Sequence, residues 1–280
     1  MTILVNNSVT GKKITIAIDE NMKIQSFLQE LRNLGEIDIG KPYYLKTVKG
    51  IIPSPGSIFR EINEKEFILI QDAPPPAKAF NQLGIFVIDG SASMKEGVVK
   101  GNILSSDAVN LAMQNTIKLF QDSRKRACYS FAIVAFGDTG KTILNPSNII
   151  DIDANQHFDP TLSFKNGLGS ESTNIAAGLS IAYDLADDFL SKKEGNLIHK
   201  VAVVVLSDGM CHHERETKAV AEKLKQLPGL EINCCHLESN IVEPGATELL
   251  KEISTHYESV YSEDTIRGFF INSTSRNNRG

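Results

Sequence analysis

Residues 83–94 read LGIFVIDGSASM, an apolar run that leads directly into Asp89, Ser91 and Ser93. An apolar run without polar alternation is typical of a strand buried on both faces, as in a parallel sheet covered by helices. Alternate residues of an extended segment point the same way, so the carboxylate and the two hydroxyls are expected to converge where the strand ends. The pattern alone leaves three interpretations open: a turn, a nucleophilic serine, or part of a metal site.

The sequence after this run alternates between strand and helix patterns. Further strands are predicted from apolar or alternating runs at 131–136, 201–206, 230–237 and 257–262. Helices with one apolar stripe are predicted between them, at 106–122, 174–190, 214–227 and 246–254. The alternation predicts an α/β domain with a doubly wound, mostly parallel sheet over residues 81–271. The polar segment 272–280 is predicted to be a flexible tail.

Oxygen-bearing side chains follow several of these predicted elements. Asp208 comes directly after the run VAVVVL, and Thr173 lies in GSESTN at the start of a predicted helix. Because ligands of an open parallel sheet bind at the carboxyl ends of its strands, we expect these residues to meet Asp89, Ser91 and Ser93 at one edge. Carboxylates and hydroxyls without nitrogen or sulfur suit hard cations, namely Mg²⁺, Mn²⁺ or Ca²⁺.

The combination of D-x-S-x-S, a distant threonine and a later D-G resembles the metal-ion-dependent adhesion site of von Willebrand factor A domains. The resemblance covers about 190 residues, with a departure at Ser172, where a glycine is common. It implies that three hydroxyls ligate the ion directly or nearly so, and that two carboxylates act through water or from outside the coordination sphere. The hydroxyls are those of Ser91, Ser93 and Thr173, and the carboxylates are those of Asp89 and Asp208.

Such a site is suited to recognition of an acidic partner. Neutral hydroxyls close to the ion leave its charge under-neutralised, and Mg²⁺ requires six oxygens. The remaining position faces solvent and favours an Asp or Glu carboxylate from a partner protein. The domain is therefore expected to bind proteins and not to be an enzyme.

Three other chemistries fit the sequence less well. AFGDTGKT at 135–142 is close to a phosphate-binding P-loop, but that motif requires a following helix, and ILNPSNII predicts a short strand and a proline instead. The cysteines and histidines of 211–214 and 234–236 suggest zinc, yet 234–236 is predicted to lie along a strand and to alternate between its faces. DGSASM lacks the G-x-S-x-G pattern of a nucleophilic serine.

The first 72 residues follow a different pattern, with strand, strand, helix, strand and strand in that order. TILVNNSVTGKKITIAIDENMKIQSFLQELR resembles the opening hairpin and helix of ubiquitin, which implies a ubiquitin-like β-grasp domain over residues 1–72. The segment departs from ubiquitin because it has no free diglycine tail and runs instead into APPPAKAF. This proline-rich segment, residues 73–80, predicts a semi-rigid linker. A fixed binding module that docks a second partner is therefore favoured over a modifier precursor or a component of a conjugation system.

Composition and charge bear on the class of partner and on the cellular location. The net charge of −5 and the lack of a basic cluster argue against nucleic-acid binding. The N-terminus lacks the pattern of a signal peptide, there is no apolar run long enough for a membrane, and four cysteines without framework spacing indicate free thiols; we therefore expect a cytoplasmic protein.

The pairing of the two domains resembles bacterial ubiquitin-like and von Willebrand A proteins of stress-response and conflict systems, including the tellurite-resistance type. That resemblance implies kinase, phosphatase or MoxR-type AAA ATPase partners. Hydrolysis of a nucleoside triphosphate, or metal-assisted hydrolysis, is the catalytic alternative.

Overall fold

A computed structural model describes residues 1–38, 43–49, 52–53, 56–71, 80–192, 197–209, 211–241 and 246–275. The chain divides into two compact units, Met1–Ala77 and Lys78–Gly280. The linker predicted at 73–80 lies outside the described residues except for Phe80, which already belongs to the first strand of the second unit.

The first unit combines a mixed sheet with one main helix. Its strands are β1 (Thr2–Asn7), β2 (Lys13–Ala17), β3 (Tyr43–Thr47) and β4 (Glu66–Gln71), and its helices are α1 (Ile24–Asn33) and α2 (Phe59–Ile62). The sheet order among the described strands is β2-β1-β4-β3. The central pair, β1 and β4, is parallel, while β2 and β3 pair antiparallel with their neighbours.

Three phenylalanine rings organise the core of the first unit. Phe59 packs edge-to-face on Phe27 of α1 and on Phe67 of β4, with ring centroids 5.3 and 5.4 Å apart. Such edge-to-face pairs are favourable because the positive edge of one ring meets the negative face of the other. Helix α2, which carries Phe59, was not predicted, because a helix of four residues is too short to display a helical period.

The second unit contains a larger sheet with helices on both faces. Its strands are β5 (Phe80–Asp89), β6 (Val98–Val99), β7 (Ile103–Leu104), β8 (Tyr129–Phe136), β9 (Gly140–Asn148), β10 (Ile198–Ser207), β11 (Leu230–Leu237) and β12 (His256–Val260). Its helices are α3 (Ser93–Glu96), α4 (Ser105–Asp122), α5 (Ile175–Ser191), α6 (Glu214–Lys225), α7 (Ala246–Ile253) and α8 (Glu263–Ser275).

The sheet of the second unit is mostly parallel, as predicted. Its order among the described strands is β12-β11-β10-β5-β8-β9, and only β9 pairs antiparallel within it. Strand β5 alternates between two cores. Phe86 and Ile88 pack in the cluster that includes α4 and α8, and Ile85 and Val87 pack in the cluster that includes α5, α6 and α7. Burial on both faces explains the unbroken apolar run of β5.

Two segments differ from their expected extents. Strand β9 continues through Asn148 and forms a hairpin with β8, because the edge of the sheet lets it accommodate Pro146. The segment after the GKT sequence is therefore a strand, and it lacks the helix N-terminus that a P-loop requires. Helix α8, which was not predicted, runs from Glu263 to Ser275, so residues 272–275 of the predicted tail are helical, and 276–280 lie outside the described residues.

Within the described ranges, none of the helices combines the length and apolar character needed to cross a bilayer.

Candidate metal centre

The candidate site begins where β5 and β10 end side by side. Leu206 pairs with Ile88 in register, which places the next residues, Ser207 and Asp89, beside each other. Both residues are completely buried. The Ser207 hydroxyl donates a hydrogen bond to Asp89 Oδ2 at 2.5 Å, and the Ser91 backbone N–H donates to Asp89 Oδ1 at 2.9 Å. Two donors therefore fix the plane of the Asp89 carboxylate.

A chain of hydrogen bonds connects this carboxylate to the loop after β10. The Ser91 and Ser93 hydroxyl oxygens lie 2.8 Å apart, and the Ser93 hydroxyl donates to Asp208 Oδ1 at 2.9 Å. Ser91 and Asp208 are buried, whereas Ser93 is partly exposed. The structure thus brings together Asp89, Ser91, Ser93 and Asp208, although the contact between Ser93 and Asp208 spans 115 residues of sequence.

Thr173 joins the same edge of the sheet through its main chain. Its carbonyl accepts a hydrogen bond from the His212 N–H at 3.3 Å, which connects it to the loop that carries Asp208. The next residue, Asn174, donates its N–H to the Gly137 carbonyl at 2.8 Å and caps α5 by accepting from the Ala177 N–H. Thr173 is therefore buried at the entrance of α5, as the sequence predicted.

Ser170 holds the loop before Thr173 against the loop after β5. Its N–H donates to the Gly90 carbonyl at 2.9 Å, and its carbonyl accepts from the Ala92 N–H at 2.7 Å. The Ser170 hydroxyl also accepts from the Asp138 N–H at 2.7 Å. Three loops that follow different elements are thereby joined through one buried serine.

Gly169 lets the same two loops approach closely. Its φ of +85° lies in the left-handed region that side-chain-bearing residues avoid. A Cβ atom at this position would lie 2.8 Å from the backbone of Ala92 and from the carbonyl oxygen of Ser91. Any other residue here would push the serine-bearing loop away.

An ion pair anchors the short helix α3 beside the site. The Lys95 ammonium donates to Asp159 Oδ2 at 2.9 Å, and Thr161 donates to the other oxygen of Asp159 through its N–H and its hydroxyl. Burial of Asp159 would by itself raise its pKa, but hydrogen bonds from Thr161 and Lys95 outweigh burial, so that the pKa is lowered from its ordinary value. The carboxylate is therefore charged at neutral pH and holds Lys95, two residues after Ser93.

The donor set fits a small divalent cation. Oxygens at neighbouring corners of an octahedron around Mg²⁺ lie about 3 Å apart, since each lies about 2.1 Å from the ion. The Ser91 and Ser93 hydroxyl oxygens, 2.8 Å apart, are close enough to occupy two neighbouring corners of such a site. Among the described residues there is no cluster of three or more His, Cys, Asp or Glu suited to a metal, and the candidate site contributes only two carboxylates, Asp89 and Asp208.

The cysteines do not converge on a second site. Cys234 and Cys211 pack in the core beside α5, whereas Cys235 packs in the core on the opposite face of the sheet. Burial raises the pKa of the Cys234 and Cys235 thiols, which disfavours the thiolate that zinc requires. Cys234 and Cys235 therefore lie on opposite faces of the sheet, as expected.

Sequence reasoning missed Ser207 and Ser170. Ser207 stands directly before Asp208, and a hydroxyl at the last position of a buried strand was a usable signal. Its hydrogen-bond partner is Asp89, however, and that pairing depends on the register between β10 and β5, which the sequence does not reveal. Ser170 carried no signal, because its importance comes from backbone contacts among three loops.

Comparison with known proteins identifies the fold of the second unit. Residues 85–210, which include all five candidate residues, match the family model described as von Willebrand factor type A domain. A search of curated proteins found no match to the chain.

Solved structures with the same fold include a pilus adhesin and a minor pilin. The pilus adhesin SpaC from Lactobacillus rhamnosus GG has 11% identity and a TM-score of 0.55, with 75% of this chain and 32% of the adhesin covered. The PilB minor pilin from Streptococcus sanguinis has 15% identity and a TM-score of 0.52, with 76% of this chain and 65% of the pilin covered. This chain therefore spans about a third of the adhesin and less than two thirds of the pilin.

Proposed function

We propose that the von Willebrand factor type A domain at residues 85–210 is a metal-dependent protein-binding module. The observation that carries the proposal is the convergence of Ser91, Ser93 and Asp208, from the loops after β5 and β10, at one edge of the sheet, where their oxygens are joined at 2.8 and 2.9 Å. Mn²⁺ and Ca²⁺ are the alternative ions, since both prefer oxygen ligands.

Three residues of the site would bind the ion directly and two indirectly. Ser91, Ser93 and Thr173 would hold the ion through neutral hydroxyls, and Asp89 and Asp208 would act through water or from outside the coordination sphere. A bound divalent cation supplies positive charge that attracts a carboxylate. The chain's part is to keep the hydroxyls aligned: Asp89 fixes the Ser91 N–H, and Asp208 accepts from Ser93.

We propose that the ligand is an Asp or Glu side chain of a partner protein. A cation held mainly by uncharged groups retains affinity for an anion, and the surrounding surface would then provide specificity. Two neighbours of the same fold are by name an adhesin and a pilin, which supports an interaction role over a catalytic one.

We further propose that the first unit is a ubiquitin-like β-grasp module that docks a second partner. The support is its sheet order, β2-β1-β4-β3 with a parallel central pair, together with a single long helix between β2 and β3. A chain with one interaction module in each unit would act as an adaptor. The absence of enzymatic activity, the cytoplasmic location and the bacterial stress-response or defence setting stay predictions from the sequence.

The test is capture of partner proteins from lysate of the source cells, with Mg²⁺ and with EDTA. The proposal expects prey that is captured by the wild type in Mg²⁺ and lost with EDTA, with Ser91→Ala and with Asp208→Ala. Asp187→Ala, which removes an exposed carboxylate from α5, is the matched control and should capture as the wild type does.

Titration calorimetry with Mg²⁺ and Mn²⁺ provides the direct measurement of the site. The wild type should bind one ion, and Asp208→Ala should bind none at comparable concentrations. Prey capture that withstands EDTA and both site variants would refute the proposal.

A further inference from the structure

We infer that Ser207 is a positioning residue of the proposed metal centre, and that it acts through Asp89. The inference rests on the proposed function, because it concerns how the same site is kept ready for the ion. Ser207 lies at the end of β10 and outside the predicted set of five residues.

The contact between Ser207 and Asp89 is short and completely buried. The Ser207 Oγ to Asp89 Oδ2 distance is 2.5 Å, and both side chains are inaccessible to solvent. Hydrogen bonds between a hydroxyl and a charged carboxylate are shorter and stronger than those between neutral groups. Since no solvent reaches this pair, water cannot readily replace the serine hydroxyl if it is removed.

The second oxygen of Asp89 connects Ser207 to the candidate metal ligands Ser91 and Ser93. Asp89 Oδ1 accepts a hydrogen bond from the Ser91 N–H at 2.9 Å. The orientation of the carboxylate therefore determines the position of the Ser91 backbone. From there the Ser91 hydroxyl lies 2.8 Å from that of Ser93, which in turn donates to Asp208. Rotation of Asp89 would therefore move Ser91 away from Ser93 and separate the two hydroxyls that would hold the ion.

The same geometry assigns an indirect role to Asp89. With one oxygen held by Ser207 and the other by the Ser91 N–H, the carboxylate is oriented by the protein and not by the ion. Ser207 would thus keep Asp89 as a support for the loop. Outer partners that orient the ligands of a metal typically change metal affinity by 10- to 100-fold when they are mutated.

The experiment is titration of the full chain with Mn²⁺ alone, for the wild type, Ser207→Ala, Ser207→Thr and Ser273→Ala. We expect Ser207→Ala to weaken Mn²⁺ binding by about 10- to 100-fold. Ser207→Thr keeps the hydroxyl and should restore affinity to within about threefold. Ser273→Ala removes a completely buried hydroxyl from α8 and should leave affinity unchanged.

Thermal unfolding in EDTA separates positioning from general stability. If Ser207 acts by positioning, Ser207→Ala should still unfold cooperatively in EDTA, at a temperature well above that of the Mn²⁺ titration. Equal Mn²⁺ affinity of Ser207→Ala and wild type would overturn the inference while leaving the metal site intact. A loss of affinity in a Ser207→Ala protein that is already partly unfolded in EDTA at the titration temperature would also overturn it. A wild type that binds no Mn²⁺ would instead refute the proposed function.

Discussion

Gly169 is the point at which a single backbone position governs the distance between two loops of the site. The carbonyl oxygen of Ser91 and the backbone of Ala92 would both lie 2.8 Å from an added Cβ, and these are main-chain atoms that cannot rotate aside. The left-handed φ of +85° adds strain for any residue with a side chain.

Gly169→Ala is expected to destabilise the second unit by about 1–3 kcal/mol, because the new methyl group must displace backbone. Urea denaturation followed by circular dichroism measures this change. Gly268→Ala is the control, since a Cβ there meets nothing within 4 Å and Gly268 lies inside α8. Replacing a helical glycine by alanine should stabilise by about 0.5–1 kcal/mol. Equal stability of the two variants would contradict this account of Gly169.

Asp159 makes stability depend on pH in the acidic range. Burial alone would raise its pKa, but hydrogen bonds from Thr161 and Lys95 outweigh burial and lower the pKa in the folded state from its ordinary value. A carboxyl whose pKa is lower when folded binds protons better when unfolded. Its contribution is therefore complete above about pH 4 and is lost as the pH falls through the folded pKa.

Asp159→Asn should lower the free energy of unfolding at pH 7 by about 1–3 kcal/mol, since it removes a hydrogen-bonded buried charge opposite Lys95. The difference from the wild type should shrink as the pH is lowered below 4. Urea titrations at pH 7 and pH 3 check both points. Asp153→Asn makes the same charge change at an exposed position and should leave stability within about 0.5 kcal/mol of the wild type at pH 7. A difference between Asp159→Asn and wild type that stays constant with pH would exclude the ion pair as its source.

The individual residues differ in how far the sequence reveals them. The convergence of four site residues could be predicted, because each closely follows an apolar strand run and three of them form a D-x-S-x-S pattern. These residues are Asp89, Ser91, Ser93 and Asp208. Ser207 gains its significance only from the register between two strands that are 118 residues apart at this contact. A pattern of local spacing contains no information about such a pairing.

At the level of elements, β11 shows how one strand serves two cores. Cys234 packs with the helices α5, α6 and α7, while Cys235 packs with α4 and α8 on the opposite face. The alternation of side chains along a strand requires this division. Both thiols are buried, and burial raises the pKa of each.

The native protein should therefore react very slowly with Ellman's reagent at pH 8, because buried thiols with raised pKa values supply almost no thiolate. Cys128 and Cys211 are buried as well, so all four thiols of the chain should be protected. In 6 M guanidinium chloride the reagent should titrate all four. Rapid modification of even one thiol in the native state would show that a core opens locally.

Most long elements were predictable, but the 13-residue helix α8 was not, because its buried positions include the polar residues Ser273 and Thr274, which interrupt an apolar stripe. The buried strands were found from their apolar runs, and α4 from its stripe, in which Val109, Met113 and Ile117 are all buried. Helix α2 and the two-residue strands β6 and β7 were missed because they are shorter than any period. The full length of β9 was hidden by Pro146, which an edge strand tolerates but a central strand does not.

At the scale of the whole molecule, the chain consists of two compact units with separate cores. The residues of the candidate site all belong to the second unit. Binding of an ion that favours the folded state stabilises the unit that holds it, by about 2.7 kcal/mol at a concentration 100 times the dissociation constant. The first unit provides an internal reference in the same molecule.

Hydrogen exchange measured by mass spectrometry on the full chain should locate this effect. Saturating Mg²⁺ should slow exchange in peptides that cover 89–97, 169–174 and 205–209, because opening of these loops would release the ion. Peptides from residues 1–71 should exchange at the same rate with Mg²⁺ and with EDTA. Equal slowing in both units, or none in the second, would be incompatible with a metal centre at this edge.

The contact between Ser93 and Asp208 has a consequence for how the protein is made. The ribosome adds about 5–20 residues per second, so the 115 residues between these two side chains separate their synthesis by roughly 6–23 s. During that interval the nascent chain already carries Ser93 but lacks the carboxylate and the neighbouring strand that align it. Chains that terminate before β10 would lack both Ser207 and Asp208, so we expect them to fold without the proposed ion site and to be unable to bind a partner through it.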